Sequence, residues 1–219
     1  MIEEWRTVGM VLAVVVFIFL FRRVGSTMQK RLRGRRAHLN QARRHFVKAA
    51  TSVAQSRNSR MSAGEARSLA GTALQEADLA IELDPNDAAV YIVKSLALEG
   101  LGKTAAAVKV LDIALSDKMK KTLSKEERAD TLAKRAELLL GQAKGKRDRL
   151  IDDALVDLKE SVRLSDKNSR VFLLLGTCYE KSGAIEQAKD AYKQSLLLNP
   201  SPPDAKAAVE RIERLNTSD

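Results

Sequence analysis

The sequence predicts an all-α fold, in which about four helix hairpins and a C-terminal capping helix form an α-solenoid behind a single N-terminal transmembrane helix. Three observations lead to this prediction. A hairpin pattern at residues 172–200 occurs in a second copy earlier in the chain. Aromatic residues make up only 4% of the sequence, which suits helices packed through Ala, Leu and Val better than a sheet. An uninterrupted apolar run lies near the N-terminus.

The apolar run predicts the membrane-spanning helix. Residues 8–21, VGMVLAVVVFIFLF, contain no charged residue, but as a helix they reach only about 21 Å. Residues 5–24 reach about 30 Å, the thickness of a hydrocarbon core, and the arginines near both ends can snorkel toward water. We therefore predict a transmembrane signal anchor at residues 1–24. The side chains expected to contact lipid are Trp5, Val8, Leu12, Val16, Phe19 and Phe21.

Three other interpretations of this run stay open. A cleaved secretory signal would begin with basic residues, whereas this chain begins Met-Ile-Glu-Glu, although the small residues Gly25 and Ser26 leave a cleavage site possible. A transit peptide would be amphipathic and poor in acids. A buried core helix would need protein on every side, for which a small solenoid has little room.

The residues that flank the run predict its orientation. One arginine, Arg6, precedes it, and seven basic residues follow it between Arg22 and Arg36. Because positive residues stay on the cytosolic side, the repeat domain should face the cytosol, with residues 25–39 as a basic juxtamembrane linker. The layout resembles the anchors of mitochondrial and chloroplast outer-envelope proteins. The endoplasmic reticulum is the other membrane it allows.

The basic charge of the protein belongs to the N-terminal segment. Residues 1–60 contain 13 Lys and Arg against 2 acids, which leaves 25 basic and 26 acidic residues for the rest of the chain. Lys and Arg beside a membrane span favour contact with anionic lipid headgroups. Nucleic acid is not expected, because base stacking would need aromatic residues among the cations and the nearest is Phe46.

Helical periodicity then predicts the hairpins in order. The first occupies residues 37–55 and 66–83, with a capping box from Ser62 to Glu65. The second occupies residues 88–115 and turns at Gly102.

The third and fourth hairpins follow a basic linker at residues 117–125. A capping box from Ser124 to Glu127 starts the third hairpin, whose turn at residues 141–149 is six residues longer than in the fourth. This insertion predicts longer helices or an exposed loop. The fourth hairpin turns at Gly183, and a capping helix follows from residue 201 to Leu215. Its inward side is predicted to carry Ala207, Ala208, Ile212 and Leu215.

Two hairpins share the spacing of small and large residues. A shift of 81 positions places Gly102 on Gly183, and Ser95 on Gly176. Pro85 and Pro200 also stand at the position that ends a repeat. This pattern resembles the tetratricopeptide repeat, a unit of about 34 residues that folds as helix, turn and helix. The resemblance covers about residues 40–215 and predicts a repeat domain at residues 40–219.

The resemblance also implies a binding groove, formed by the first helix of each repeat. The partner-binding residues it predicts are Ile92, Val93, Leu96, Lys134, Glu137, Arg170, Leu174 and Thr177. Equivalent positions are Ala89, Glu99, Ala133, Leu140, Leu173 and Glu180. Apolar residues stand at Ile92, Val93 and Leu96, where repeats that grip a chaperone carboxylate carry polar ones. We therefore expect an apolar peptide or helix as the ligand.

No pattern in the sequence indicates catalysis. Residues 97–104 fit a loose Walker A motif, but helical periodicity precedes Gly102 where a phosphate loop needs a strand. The two histidines, His38 and His45, have no acid near them in the sequence, and Cys178 suits a buried helix position. We expect no enzyme, no cofactor, no metal and no small-molecule substrate. The predicted function is a membrane-anchored interaction module, and the alternative is a structural or assembly subunit of a membrane complex.

Overall fold

The computed structural model describes residues 34, 36–145, 148–200 and 203–216. In these residues the chain is helical apart from its turns and loops, and a short 3₁₀ helix lies at Lys120–Thr122. The α-helices are α1 (residues 36–56), α2 (Ala63–Leu83), α3 (Ala88–Gly100), α4 (Thr104–Ala114), α5 (Lys125–Gln142), α6 (Arg149–Leu164), α7 (Ser169–Ser182), α8 (Ile185–Leu198) and α9 (Pro203–Asn216).

The helices stack in chain order. From α2 onward each helix packs against the next, and α7 also contacts α5. The predicted all-α solenoid of four hairpins and a terminal helix is thereby confirmed for the described residues. Because each hairpin buries one face against its neighbours, hydrophobic clusters follow one another along the stack.

Local sequence signals explain where the helices begin. Ser62 accepts a hydrogen bond from the backbone of Glu65, whose carboxylate bonds back to Ser62, and Ser124 forms the same capping box with Glu127. Each box satisfies backbone N–H groups that the first helical turn leaves unpaired. Both predicted boxes are confirmed.

Glycine closes two of the hairpin turns. Gly102 lies between α3 and α4 with φ 76°, and Gly183 ends α7 with φ 84°. A residue with a Cβ rarely adopts this left-handed backbone. Gly102 therefore forms the turn between two helices. A helix, α3, precedes it, and not the strand that a phosphate loop needs.

Small residues let the paired helices approach closely. In the first hairpin Ala49 of α1 and Ala73, Ala77 and Ala80 of α2 are fully buried. A Cβ built on Gly176 of α7 would lie 2.4 Å from a ring carbon of Tyr192 in α8. Small residues therefore lie at the close approach of the helices in both hairpins.

The insertion in the third hairpin lengthens a helix and also leaves a loop. Helix α5 has 18 residues, against 13 in α3, and α6 begins only at Arg149. The loop between them is anchored by Asp148, whose carboxylate accepts hydrogen bonds from the backbone N–H groups of Lys144 and Leu150.

The capping helix buries most of its predicted inward side. Ala208 and Ile212 are buried, as predicted, together with Ala205. Ala207 is exposed and lies at the edge of the contact with the last hairpin, because α9 buries the line i, i+3, i+7 that starts at Ala205. The side chain of Leu215 lies outside the described ones.

No helix among residues 36–145, 148–200 and 203–216 is long and apolar enough to cross a membrane. The predicted signal anchor at residues 1–24, with its lipid-contacting side chains, lies outside the described residues. Residues 36–39 of the predicted linker belong to α1.

Candidate functional site

A long open groove runs along the first helices of the four hairpins. Its volume is about 870 Å³, and it is lined from α1, α3, α5 and α7. On α3 the lining residues follow the helical spacing of Ala89, Ile92, Val93 and Leu96, so one face of the helix supplies them.

Seven of the eight predicted groove residues line this one groove. They are Ile92, Val93, Leu96, Lys134, Glu137, Arg170 and Leu174. Of the equivalent positions, Ala89, Glu99 and Ala133 line it as well, whereas Leu140 is buried in the core. That these residues bind a partner stays a prediction.

Thr177 does not join the groove. It lines a second cavity of about 290 Å³, together with Leu173 and Glu180, against the capping helix. There Tyr192 donates a hydrogen bond to Glu180 over 2.9 Å, and Arg211 of α9 reaches the same carboxylate at 2.6 Å. The α7 positions are divided between two cavities because residues of α9, among them Ala208 and Arg211, line the one that holds Thr177.

The floor of the groove is apolar at its N-terminal end. Phe46 of α1 joins Ile92, Val93 and Leu96 of α3 there. Val93 is 8% exposed, and the other three are partly buried, so their outer surfaces remain available to a ligand. The sequence prediction missed Phe46, because its helix carries no clear repeat signature.

A chain of ion pairs crosses the groove from its N-terminal end to its C-terminal end. Arg57 contacts Glu99 at 3.1 Å, and the other oxygen of Glu99 accepts a bond from Lys134 at 2.6 Å. Lys134 also contacts Glu137 at 3.3 Å, and Glu137 pairs with Arg170 at 2.6 Å. We call Arg57, Glu99, Lys134, Glu137 and Arg170 the groove ion chain.

The groove ion chain changes what the charged residues can do for a ligand. Lys134 has an 18% exposed side chain and is held between two carboxylates. Its charge is already compensated within the protein, so a free anion gains little there. Arg57 and Arg170, with side chains 52% and 65% exposed, are the accessible cations at the two ends.

The remaining titratable groups fit structural roles. Burial raises the pKa of the Cys178 thiol to about 12, so the nucleophilic thiolate is absent at neutral pH. Burial likewise raises the pKa of Tyr192 to about 12.

His45, which has no acid near it in the sequence, contacts Glu76 of α2 at 2.6 Å, and this bond lowers the pKa of the Glu76 carboxyl. Within the described chain, no group of three His, Cys, Asp or Glu side chains could hold a metal ion.

Comparison with known proteins supports the repeat assignment over part of the chain. Residues 149–212 match the family model described as tetratricopeptide repeat. None of the curated proteins matches this sequence.

Several solved structures share the fold. The structure of pilF from Pseudomonas aeruginosa superimposes with a TM-score of 0.62 at 19% identity, covering 84% of this chain and 72% of that one. A crystal structure of MamA gives a TM-score of 0.58 at 14% identity, covering 69% and 81%. The MamA 41-end fragment from Desulfovibrio magneticus RS-1 gives 0.53 at 20% identity, covering 78% and 97%. At such identities the likeness concerns the fold alone. Residues 149–212 therefore match tetratricopeptide repeats in sequence, and the described chain shares the solenoid fold of these structures.

Proposed function

We propose that this protein is a membrane-anchored interaction module, whose groove recruits a cytosolic protein to an organelle surface. The groove itself carries the proposal. Residues from four successive hairpins converge on one open cavity of about 870 Å³, which is large enough for several side chains of a peptide or helix.

The chemistry of the groove favours an apolar segment as its ligand. Ile92, Val93 and Leu96 present apolar surface, and the central Lys134 is neutralised by its two glutamates. A helix with apolar residues at i, i+3 and i+4 would bury its side chains on this floor. The accessible arginines at the ends would favour ligands with acidic residues outside the apolar part.

The location rests on the N-terminal segment. The apolar run at residues 8–21 and the basic residues after it predict a single-pass anchor with the solenoid in the cytosol. The membrane is the mitochondrial or chloroplast outer envelope, or the endoplasmic reticulum. The module has no catalytic role in this proposal.

Photo-crosslinking of the full chain in its native membrane tests the groove. A crosslinking residue at Leu96 should capture a protein partner, and one at Val156, a 67% exposed apolar residue of α6, should not. With the crosslinking residue kept at position 96, the variant Ile92→Glu should reduce capture by at least about tenfold, because it places a charge on the apolar floor. Val156→Glu is the matched control. Capture that is equal at Leu96 and Val156, or unchanged in the Ile92→Glu variant, would show that the groove is not the binding site.

A second experiment separates a tether from a membrane subunit. The run at residues 8–21 is replaced by an unrelated apolar segment of equal length. A tether tolerates the exchange, and partner capture through Leu96 persists. Loss of capture from correctly inserted protein would show that the spanning segment itself makes specific contacts, as in a structural or assembly subunit.

A further inference from the structure

Helix α1 exposes a stripe in which arginines alternate with aliphatic side chains. Arg36, Leu39, Arg43 and Val47 are spaced by three, four and four residues, so they share one side of the helix. Leu39 is 42% and Val47 is 52% exposed. The buried residues of the same helix, Ala42, Ala49 and Val53, follow a different line, so the core does not account for this stripe.

The cations of α1 divide into two groups. On the side toward α2, His45 and Lys48 both contact Glu76, at 2.6 Å and 3.7 Å. Arg36, Arg43 and Arg44 are exposed, and no acid in the described part of the chain pairs with them. Residues 36–56 contain no acid at all, so the positive charge of this surface is uncompensated within its own helix.

We propose that this surface, the α1 outer face (Arg36, Leu39, Arg43, Arg44 and Val47), lies on anionic phospholipid headgroups. The arginines would bind the lipid phosphates, and the two aliphatic side chains would enter the boundary between headgroups and acyl chains. Anionic lipid therefore accounts for both the arginines and the aliphatic side chains of this face. Nucleic acid would account for the arginines alone, because Leu39 and Val47 are not aromatic and cannot stack on bases. A protein partner would have to be acidic and apolar at once.

The inference deepens the proposed function, since it rests on the predicted anchor to bring α1 to the membrane. Eleven residues lie between Val24 and Arg36, so the two are at most about 40 Å apart when this segment is fully extended. The anchor would therefore hold the α1 outer face at high effective concentration near the headgroups, where even weak contacts are populated. Phe46, beside Val47 in the same helix, lines the groove, so α1 would hold the groove close to the bilayer.

A polarity-sensitive fluorophore on the full chain tests the contact. It is attached to a cysteine at residue 47 (Val47→Cys), with Val156→Cys as the matched control on α6. The native Cys178 is fully buried, so it does not label in the folded protein. Labelled protein is added to phosphatidylcholine vesicles, to the same vesicles containing phosphatidylserine, and to single-stranded RNA. Flotation in high salt reports separately whether the chain is anchored.

The α1 outer face predicts a specific response. Emission from residue 47 should rise about twofold and shift to shorter wavelength only with phosphatidylserine, and emission from residue 156 should not change. The triple variant Arg36→Gln, Arg43→Gln and Arg44→Gln should abolish the response. The control Lys109→Gln, Lys118→Gln and Lys206→Gln, which removes three exposed charges elsewhere, should retain it.

The outcomes distinguish this inference from the proposed function. A chain that floats with both vesicles but shows no change at residue 47 overturns the inference and leaves the anchor standing. If the chain binds only phosphatidylserine vesicles, and does so through the three arginines, the inference is supported and the predicted anchor is contradicted. A larger response to RNA than to lipid, or one that follows protein concentration without vesicles, assigns the face to nucleic acid or to a second copy and overturns the inference.

Discussion

At the scale of single residues, one arginine links three helices. Arg135 of α5 donates two hydrogen bonds to Asp157 of α6, from Nε over 2.7 Å and from Nη2 over 2.6 Å, and a third to Asp112 of α4 over 2.8 Å. The side chain of Asp157 is only 5% exposed. Burial raises the pKa of its carboxyl, and the guanidinium of Arg135 opposes that shift. The parallel bonds hold α5 and α6 in one relative rotation.

Asp157→Ala should lower the free energy of unfolding by about 3 kcal/mol, because it leaves the guanidinium of Arg135 partly buried with only one carboxylate. Asp112→Ala is the control and should cost about 1 kcal/mol or less, since that side chain is 55% exposed. Urea titrations of the full chain in detergent, followed by helical circular dichroism, measure both. Equal losses would mean that Asp157 is no more important than a surface partner.

At the scale of the helix pair, close approach decides which residues are allowed. Gly176 of α7 lies against the ring of Tyr192 in α8, and Ser95 is the buried residue at the same place in α3. Gly183 then turns the chain with a backbone conformation that suits glycine. Each hairpin therefore needs a small residue at the contact, while the tight turns of the second and fourth also use glycine.

Gly176→Ala should destabilise the protein by about 1–3 kcal/mol, although alanine is the better helix former, because its Cβ would overlap the Tyr192 ring. Gly141→Ala in α5 is the matched control. No atom lies within 4 Å of the added methyl there, so stability should be unchanged or higher by up to about 1 kcal/mol. Thermal unfolding of both variants compares them. If Gly176→Ala is as stable as Gly141→Ala, α7 and α8 can move apart to accommodate the methyl group without loss of stability.

At the scale of the whole molecule, each hairpin is stabilised by its contacts with the adjacent hairpins or the capping helix. Helix α9 covers the last hairpin through Ala208 and Ile212, which pack on Ala188 and Tyr192. The core of the first two hairpins is a separate cluster that includes Ala77 and residues of α1 and α3. A solenoid with this layout should lose structure locally when its end is weakened.

Ile212→Ala should remove about 2–5 kcal/mol from the C-terminal end, because Ile212 is 1% exposed and its loss leaves a cavity. Amide hydrogen exchange should accelerate in α7, α8 and α9 and stay unchanged in α2 and α3. Lys206→Ala, at an exposed position of the same helix, should change neither region. A uniform acceleration along the chain would instead show that the solenoid unfolds as one unit.

What could be predicted from the sequence was local. The capping boxes at Ser62 and Ser124, the turns at Gly102 and Gly183, and the apolar faces of the helices depend on residues a few positions apart. Seven groove residues were predicted together because repeated helices expose equivalent faces. Phe46 was missed because the first helix departs from that repetition. Ala207 lies only at the edge of the contact of α9 with the last hairpin, whereas Ala205, which was not predicted, is fully buried.

By itself, the sequence determined the number of hairpins, the glycine turns of the second and fourth hairpins, and the groove face of α3. These follow from periodicity, which short stretches of chain encode. The tertiary structure alone decided which charges meet. Arg57 and Glu99 are 42 positions apart, and Glu137 and Arg170 are 33 apart, so their pairing depends on how separate helices dock. The same docking places His45 beside Glu76 and divides the α7 positions between the groove and the cavity under α9. Periodicity specifies the direction of a side chain on its own helix, but only the packed helices determine what it meets there.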